Sequence, residues 1–224
     1  MFIPLKDENP TRRFPVVTIL IIALNTAIFL WQAFSPAGLE AHILRLGTIP
    51  YEITHFRSLD PVVRIPPWLT LLTAMFVHGS LLHLLGNMLY LWIFGNNVED
   101  FLGPVRFILF YIICGLAASL SHIATHPMSR IPMVGASGAI AGVLGAYFIL
   151  FPGARVLTLM FIFFFIRIIP IPAGFFLGFW FLMQILNVGI GGGVAWYAHI
   201  GGFIAGALLI MFQLRRRPRF YRWA

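Results

Sequence analysis

The chain has 224 residues, 60% of them hydrophobic and 10% charged, with a mean hydropathy of +0.92, against about 45–50% apolar usage in ordinary globular domains. This reads as an integral membrane protein, and the seven carboxylates (Asp7, Glu8, Glu40, Glu52, Asp60, Glu99, Asp100) all lie outside the apolar runs, which argues against ion-coupled transport. The net charge of +8 has its main cluster in Arg215, Arg216, Arg217, Arg219 and Arg222, directly after an apolar run, the pattern of a tail on anionic lipid headgroups rather than of a nucleic-acid partner.

In chain order, a cytoplasmic segment 1–14 with Lys6, Arg12 and Arg13 precedes an apolar run over 16–34. That run is longer than a signal-peptide core and lacks a small-x-small cleavage site, so it reads as a retained signal anchor. Crossing about 30 Å of hydrocarbon at about 1.5 Å per residue takes roughly 20 apolar residues. Six segments approach this: 15–35, 78–96, 104–124, 135–151, 172–189 and 194–213, the second with an apolar lead-in from Trp68. They predict an all-α membrane protein, a six-transmembrane-helix bundle over 15–213 with a basic cytoplasmic tail over 214–224. The loop 36–67, rich in Pro and Gly, is expected to pack as a structured lid on the outer side. The lone Cys114 lies in an apolar run and reads as a small buried hydrophobe.

A seventh apolar stretch, VLTLMFIFFFIRII at 156–169, has 14 residues, contains Arg167 and runs into Pro170 and Pro172. Its length predicts an interfacial or re-entrant piece. Charge parity agrees. With six spans, Lys6, Arg12, Arg13, Arg106, Arg155, Arg167 and the five tail arginines face inward, whereas Arg45, Arg57, Arg64 and Arg130 face outward. No internal repeat of the kind that marks many transporters is visible.

Polar residues stand out within the spans. A lone serine in a membrane helix ordinarily bonds back to a carbonyl one turn earlier, and a lone histidine near a span end is ordinarily interfacial or internally satisfied. The predicted topology, however, gathers Ser137 on span four, His199 on span six and His83 and Asn87 on span two into one outer layer, with His78 at the entrance to span two. Gly138/Gly142 and Ala198/Gly202/Gly206 have the small-xxx-small spacing that lets helix backbones approach. Such apposition brings Ser137 toward His199, as a nucleophile and its base require. His83 and Asn87, four residues apart, share a helix face. Without HExxH or a nearby carboxylate, a zinc site is disfavoured. Their N–H groups, with the Ser137 amide, suit a developing oxyanion instead.

Together these pieces resemble the rhomboid family of intramembrane serine proteases: GASG at 135–138, His83 and Asn87 as HxxxN, AHIGGFIAG at 198–206, and Gly95, Glu99 and Gly103 as GxxxExxxG. The resemblance implies a Ser137–His199 dyad, with Ser137 as nucleophile and His199 as base and then acid. It also implies an oxyanion site from His83, Asn87 and the Ser137 amide, with His78, Gly135 and Gly138 in support. Substrates would be transmembrane proteins cut in or near a membrane helix, span five would move to admit them, and no cofactor or metal is needed. The six-span core looks like a prokaryotic plasma (inner) membrane member with both termini cytoplasmic and the site toward the outer side. Two positions depart from the family pattern. Leu69 and Thr70, beside Trp68, replace a Trp-Arg pair of the first loop, and Ala141 stands where some members carry an aromatic one turn after the serine. With no buried carboxylate to support charged His199, turnover is expected to be modest. The alternative reading is a catalytically silent rhomboid-like protein that binds transmembrane clients.

Overall fold

The computed structural model describes residues 2–59, 65–162, 165–190 and 193–216. The expectations that involve Asp60, Arg64, Arg217, Arg219 and Arg222 lie outside the described residues. Six helices occupy the apolar segments: α1 (Val16–Phe34), α5 (Leu81–Leu102), α6 (Pro104–Thr125), α7 (Ser137–Leu150), α8 (Ala173–Leu186) and α9 (Trp196–Arg216). Among the described residues three helices, α1, α6 and α9, are long and apolar enough to cross a membrane by length and composition, while α7 and α8 are shorter apolar helices. The 36–67 loop folds in part into α2 (Gly38–Leu46) and α3 (Pro50–His55), and α4 (Pro67–Thr73) follows. It is tied down by Thr73 Oγ1 donating to Leu46 O (2.7 Å) and Thr48 Oγ1 donating to Thr70 O (2.8 Å).

Local chemistry sets the helix ends. Pro15 before α1 offers no side-chain cap, and the first amides of a helix lack intrahelical acceptors. Glu99 from the far end of α5 accepts from Val17 N (2.9 Å), Thr18 N (2.7 Å) and Thr18 Oγ1 (2.7 Å), placing a carboxylate at the positive end of α1. Ser80 caps α5 by accepting from His83 N (3.2 Å). The span expected from residue 78 therefore begins as helix only at Leu81, and His78 precedes the cap. Gly103, at φ +79°, ends α5, and Pro104 opens α6 directly after it.

The fold is mostly helical, but the all-α expectation is corrected by a small antiparallel sheet of order β1–β2–β3: β1 (Phe2–Asp7), β2 (Arg155–Ile162) and β3 (Phe165–Pro172). The stretch expected to be an interfacial or re-entrant piece is thus a β-hairpin. Its Val, Thr, Ile and Phe content favours strands, and Pro170 and Pro172 cannot donate to a ladder, which suits β3 as an edge strand. β1, about 150 residues upstream, gives the other side of β2 its partner. Tyr147 Oη donates to Asp7 Oδ2 (2.6 Å), joining the sheet to the end of α7.

α7 is the central helix. From Gly138 to Tyr147 every residue is buried, with α5, α6, α8 and α9 around it. A Cβ on Gly202 would strike the Gly138 carbonyl, one on Gly206 the Gly142 carbonyl, and one on Gly145 the Phe203 carbonyl. The small-residue rows of α7 and α9 therefore pack backbone against backbone.

Candidate active site

Ser137 is the first residue of α7, so its amide belongs to the unsatisfied, positive end of a helix. The turn before it depends on Gly135 at φ +120°, where an L side chain is strained, and Gly135 N donates to Ala74 O (2.8 Å). Gly138 faces Ala118: a Cβ there would stand 2.6 Å from that methyl group.

His199, near the start of α9, has Nε2 2.8 Å from Ser137 Oγ. The two partly buried side chains come from helices locked together by the glycine rows, so backbone packing sets their separation. On its other side His199 Nδ1 lies 2.8 Å from Oε1 of Gln184, a buried residue of α8 whose Nε2 donates to Trp180 O (2.9 Å). Trp180 and Trp196 flank the imidazole with ring centroids 5.9 and 6.3 Å away.

His83 and Asn87 lie on one face of α5, as their spacing requires. Their side chains close around Gly135: a Cβ on this glycine would be 2.7 Å from His83 Cε1 and Nε2 and 3.6 Å from Asn87 Nδ2. Asn87 Nδ2 donates to Nε2 of His78 (2.9 Å), which is fully buried, and His78 N donates to Gln32 Oε1 (3.2 Å). His78 thus orients Asn87 and leaves the second hydrogen of its amide available. The His83 ring also packs edge-on against His78, with centroids 5.1 Å apart.

Ser137, His199, His83 and Asn87 all line one cavity of about 850 Å³. A hydroxyl facing an imidazole, with N–H donors of two other groups lining the same cavity, is the equipment for nucleophilic attack on a carbonyl. Among the described residues, no three or more His, Cys, Asp or Glu side chains gather in a way that could hold a metal ion. Sequence reasoning did not single out Gln184, Trp180 or Gln32. A polar Gln inside the apolar α8 was the available signal, but its partner lies on another helix.

Fold and site define an integral membrane protein that presents a serine–histidine pair in a cavity among its helices. The chain belongs to the rhomboid family: the Rhomboid domain model matches residues 66–216. It is 40% identical over 196 residues to the rhomboid protease GluP of Bacillus subtilis, covering 87% of this chain and 35% of that protein. Identity to the putative rhomboid protease YdcA of Bacillus subtilis is 32% over 136 residues, 61% of this chain and 62% of that protein. For the mitochondrial rhomboid protein 1 of Saccharomyces cerevisiae it is 33% over 149 residues, 62% of this chain and 40% of that protein. The matched regions span less than two thirds of each of these relatives.

Proposed function

We propose that this protein is an intramembrane serine endopeptidase that cleaves membrane proteins in or near a transmembrane helix. The observation that carries the reading is the 2.8 Å approach of Ser137 Oγ to His199 Nε2 at the wall of the cavity. The supporting comparison is with relatives named as rhomboid proteases.

Ser137 Oγ attacks the scissile carbonyl as its proton passes to His199 Nε2. The oxyanion takes hydrogen bonds from the Ser137 amide, the free hydrogen of Asn87 Nδ2 and a His83 N–H, with His78 and Gly135 holding the last two in place. As the C–N bond breaks, His199 returns the proton to the leaving amine. It then takes a proton from water, whose oxygen attacks the acyl-enzyme. Breakdown releases the new carboxyl terminus and restores the Ser137 hydroxyl. All the groups used belong to the chain, so no cofactor is invoked. General base catalysis contributes about 10²–10⁴-fold, and each oxyanion donor about 10²–10³-fold.

The reading includes a topology. Six spans put both termini and the β-hairpin at the cytoplasmic face and Ser137 toward the outer side, in the inner membrane of a prokaryote. The lining of the cavity suits an apolar peptide, consistent with a transmembrane substrate.

The test is cleavage of a single-span reporter in liposomes by wild type, Ser137→Ala and His199→Ala, with EDTA added to a parallel wild-type sample. Cleavage that survives EDTA and disappears in both variants is the expected outcome. Cutting by Ser137→Ala refutes the mechanism. Wild type that binds several reporters and cuts none favours client binding without catalysis.

A further inference from the structure

From the hydrogen-bond chain His199–Gln184–Trp180 we infer that Gln184 is a positioning residue that sets the tautomer of His199 and ties the base to α8. This rests on the dyad reading above and adds to it a residue outside the helices that carry the nucleophile and the base.

The inference follows from which atoms can donate. The Trp180 carbonyl only accepts, so the Gln184 atom 2.9 Å away must be the amide nitrogen; the reverse orientation would set two oxygens against each other. That fixes Oε1 toward His199 Nδ1 at 2.8 Å. Since Oε1 also only accepts, Nδ1 carries the hydrogen. In the neutral ring Nε2 is then a lone pair, and it points at Ser137 Oγ 2.8 Å away. An imidazole free to exchange tautomers would spend part of its time with Nε2–H directed at the serine, where it cannot accept a proton.

In a serine–histidine–aspartate triad a carboxylate performs this task and also stabilises the imidazolium. A neutral amide performs the first part alone and adds no buried charge to an apolar helix. Its only covalent tether is α8, so displacement of α8 that lengthens the 2.8 Å contact releases the base. Chemistry at full rate therefore needs α8 docked against α9, whatever movement admits the substrate.

The decisive measurement is the ¹⁵N spectrum of histidine-labelled protein, with the His199 ring assigned by comparison with His199→Ala. Neutral His199 is expected as the Nδ1–H tautomer in wild type and as a mixture in Gln184→Met, which matches Gln in length without the acceptor. Labelling of Ser137 by a fluorophosphonate, which needs no transmembrane substrate, should fall roughly ten- to a hundredfold in Gln184→Met at unchanged thermal stability. Gln184→Glu, which keeps an acceptor toward Nδ1, should label faster than Gln184→Met. A wild-type Nε2–H tautomer, an unchanged tautomer in Gln184→Met, or equal labelling losses in the two variants overturns the inference. Where Gln184→Met unfolds, the wild-type tautomer decides alone. Failure of wild type to label, or labelling of Ser137→Ala, would instead overturn the dyad reading, whereas the tautomer is read independently of activity.

Discussion

Gly135→Ala tests whether the proposed oxyanion site depends on one missing side chain. Two costs arise at this position. At φ +120° an alanine is strained, by about 1–3 kcal/mol. In addition, its Cβ would lie 2.7 Å from two atoms of the His83 ring, where ordinary contact begins at 3.4 Å, so the ring must retreat by about 0.7 Å. A misplacement of about 1 Å can cost roughly a hundredfold in rate. Gly135→Ala should therefore lower kcat roughly ten- to a hundredfold, with KM little changed. A double-mutant cycle separates the terms: in a His83→Ala background the collision is gone, and adding Gly135→Ala should cost stability but little further activity. Reporter cleavage and thermal unfolding of the four proteins supply the numbers. Full activity of Gly135→Ala, or the same activity loss with and without His83, refutes the assignment of this glycine to His83.

The other predictions concern separate links. Asn87→Ala should reduce kcat roughly a hundredfold, and His78→Ala, acting through the 2.9 Å bond to Asn87, should cost little more once Asn87 is gone; additive losses in reporter cleavage refute this. Glu99→Gln weakens the acceptor for three donors at the start of α1 and should lower unfolding free energy by about 1–3 kcal/mol, while activity per folded molecule is kept; an unchanged melting temperature counts against the capping role. Burial raises the Asp7 carboxyl above the usual carboxylate range, opposed in part by the Tyr147 hydrogen bond. Its contribution to docking β1 is therefore fully present below about pH 4 and is lost as pH rises through the raised folded value. Proteolysis of residues 1–14 should accelerate over that rise, and Asp7→Asn should abolish the dependence; an identical profile in the variant refutes it. A turnover number in the hundreds per second on a natural substrate would contradict the modest rate expected of a base without a carboxylate.

The readable parts of this chain are those whose signal is local. Ser137 and His199 stand in small-residue rows whose spacing implies close helices, and the two side chains lie 2.8 Å apart. Helical periodicity puts His83 and Asn87 on one face, and the predicted topology with the HxxxN resemblance carries them to the site. The sheet was not legible, because a hydropathy pattern over 156–169 reports burial but not hydrogen-bond direction, and the pairing strand of β2 lies at residues 2–7. Gln184 was hidden for a related reason. Its partners are a carbonyl of its own helix and a ring on α9, and only the packing of α8 and α9 brings the ring within reach. Likewise the absence of an aromatic at Ala141 said nothing of Trp180 and Trp196, which approach from other turns of the fold.

The length of α7 bears on how the proposed hydrolysis fits a membrane location. Fourteen residues of α-helix rise about 21 Å, short of about 30 Å of hydrocarbon. Under the proposed topology the other end of α7 is held at the inner boundary, where Tyr147 bonds Asp7 of the sheet and the hairpin follows. Ser137 then sits about 9 Å below the outer boundary by that same rise per residue. A longer α7 would lift the serine into bulk water, out of reach of a membrane-embedded segment. The same length without the cavity would leave the acyl-enzyme dry. The cavity of about 850 Å³ is lined by Ser137, His199, His83 and Asn87, the groups that the proposed mechanism assigns to attack and to the oxyanion. The glycine rows thus bring the α7 and α9 backbones together at the depth where Ser137 Oγ meets His199 Nε2 at 2.8 Å.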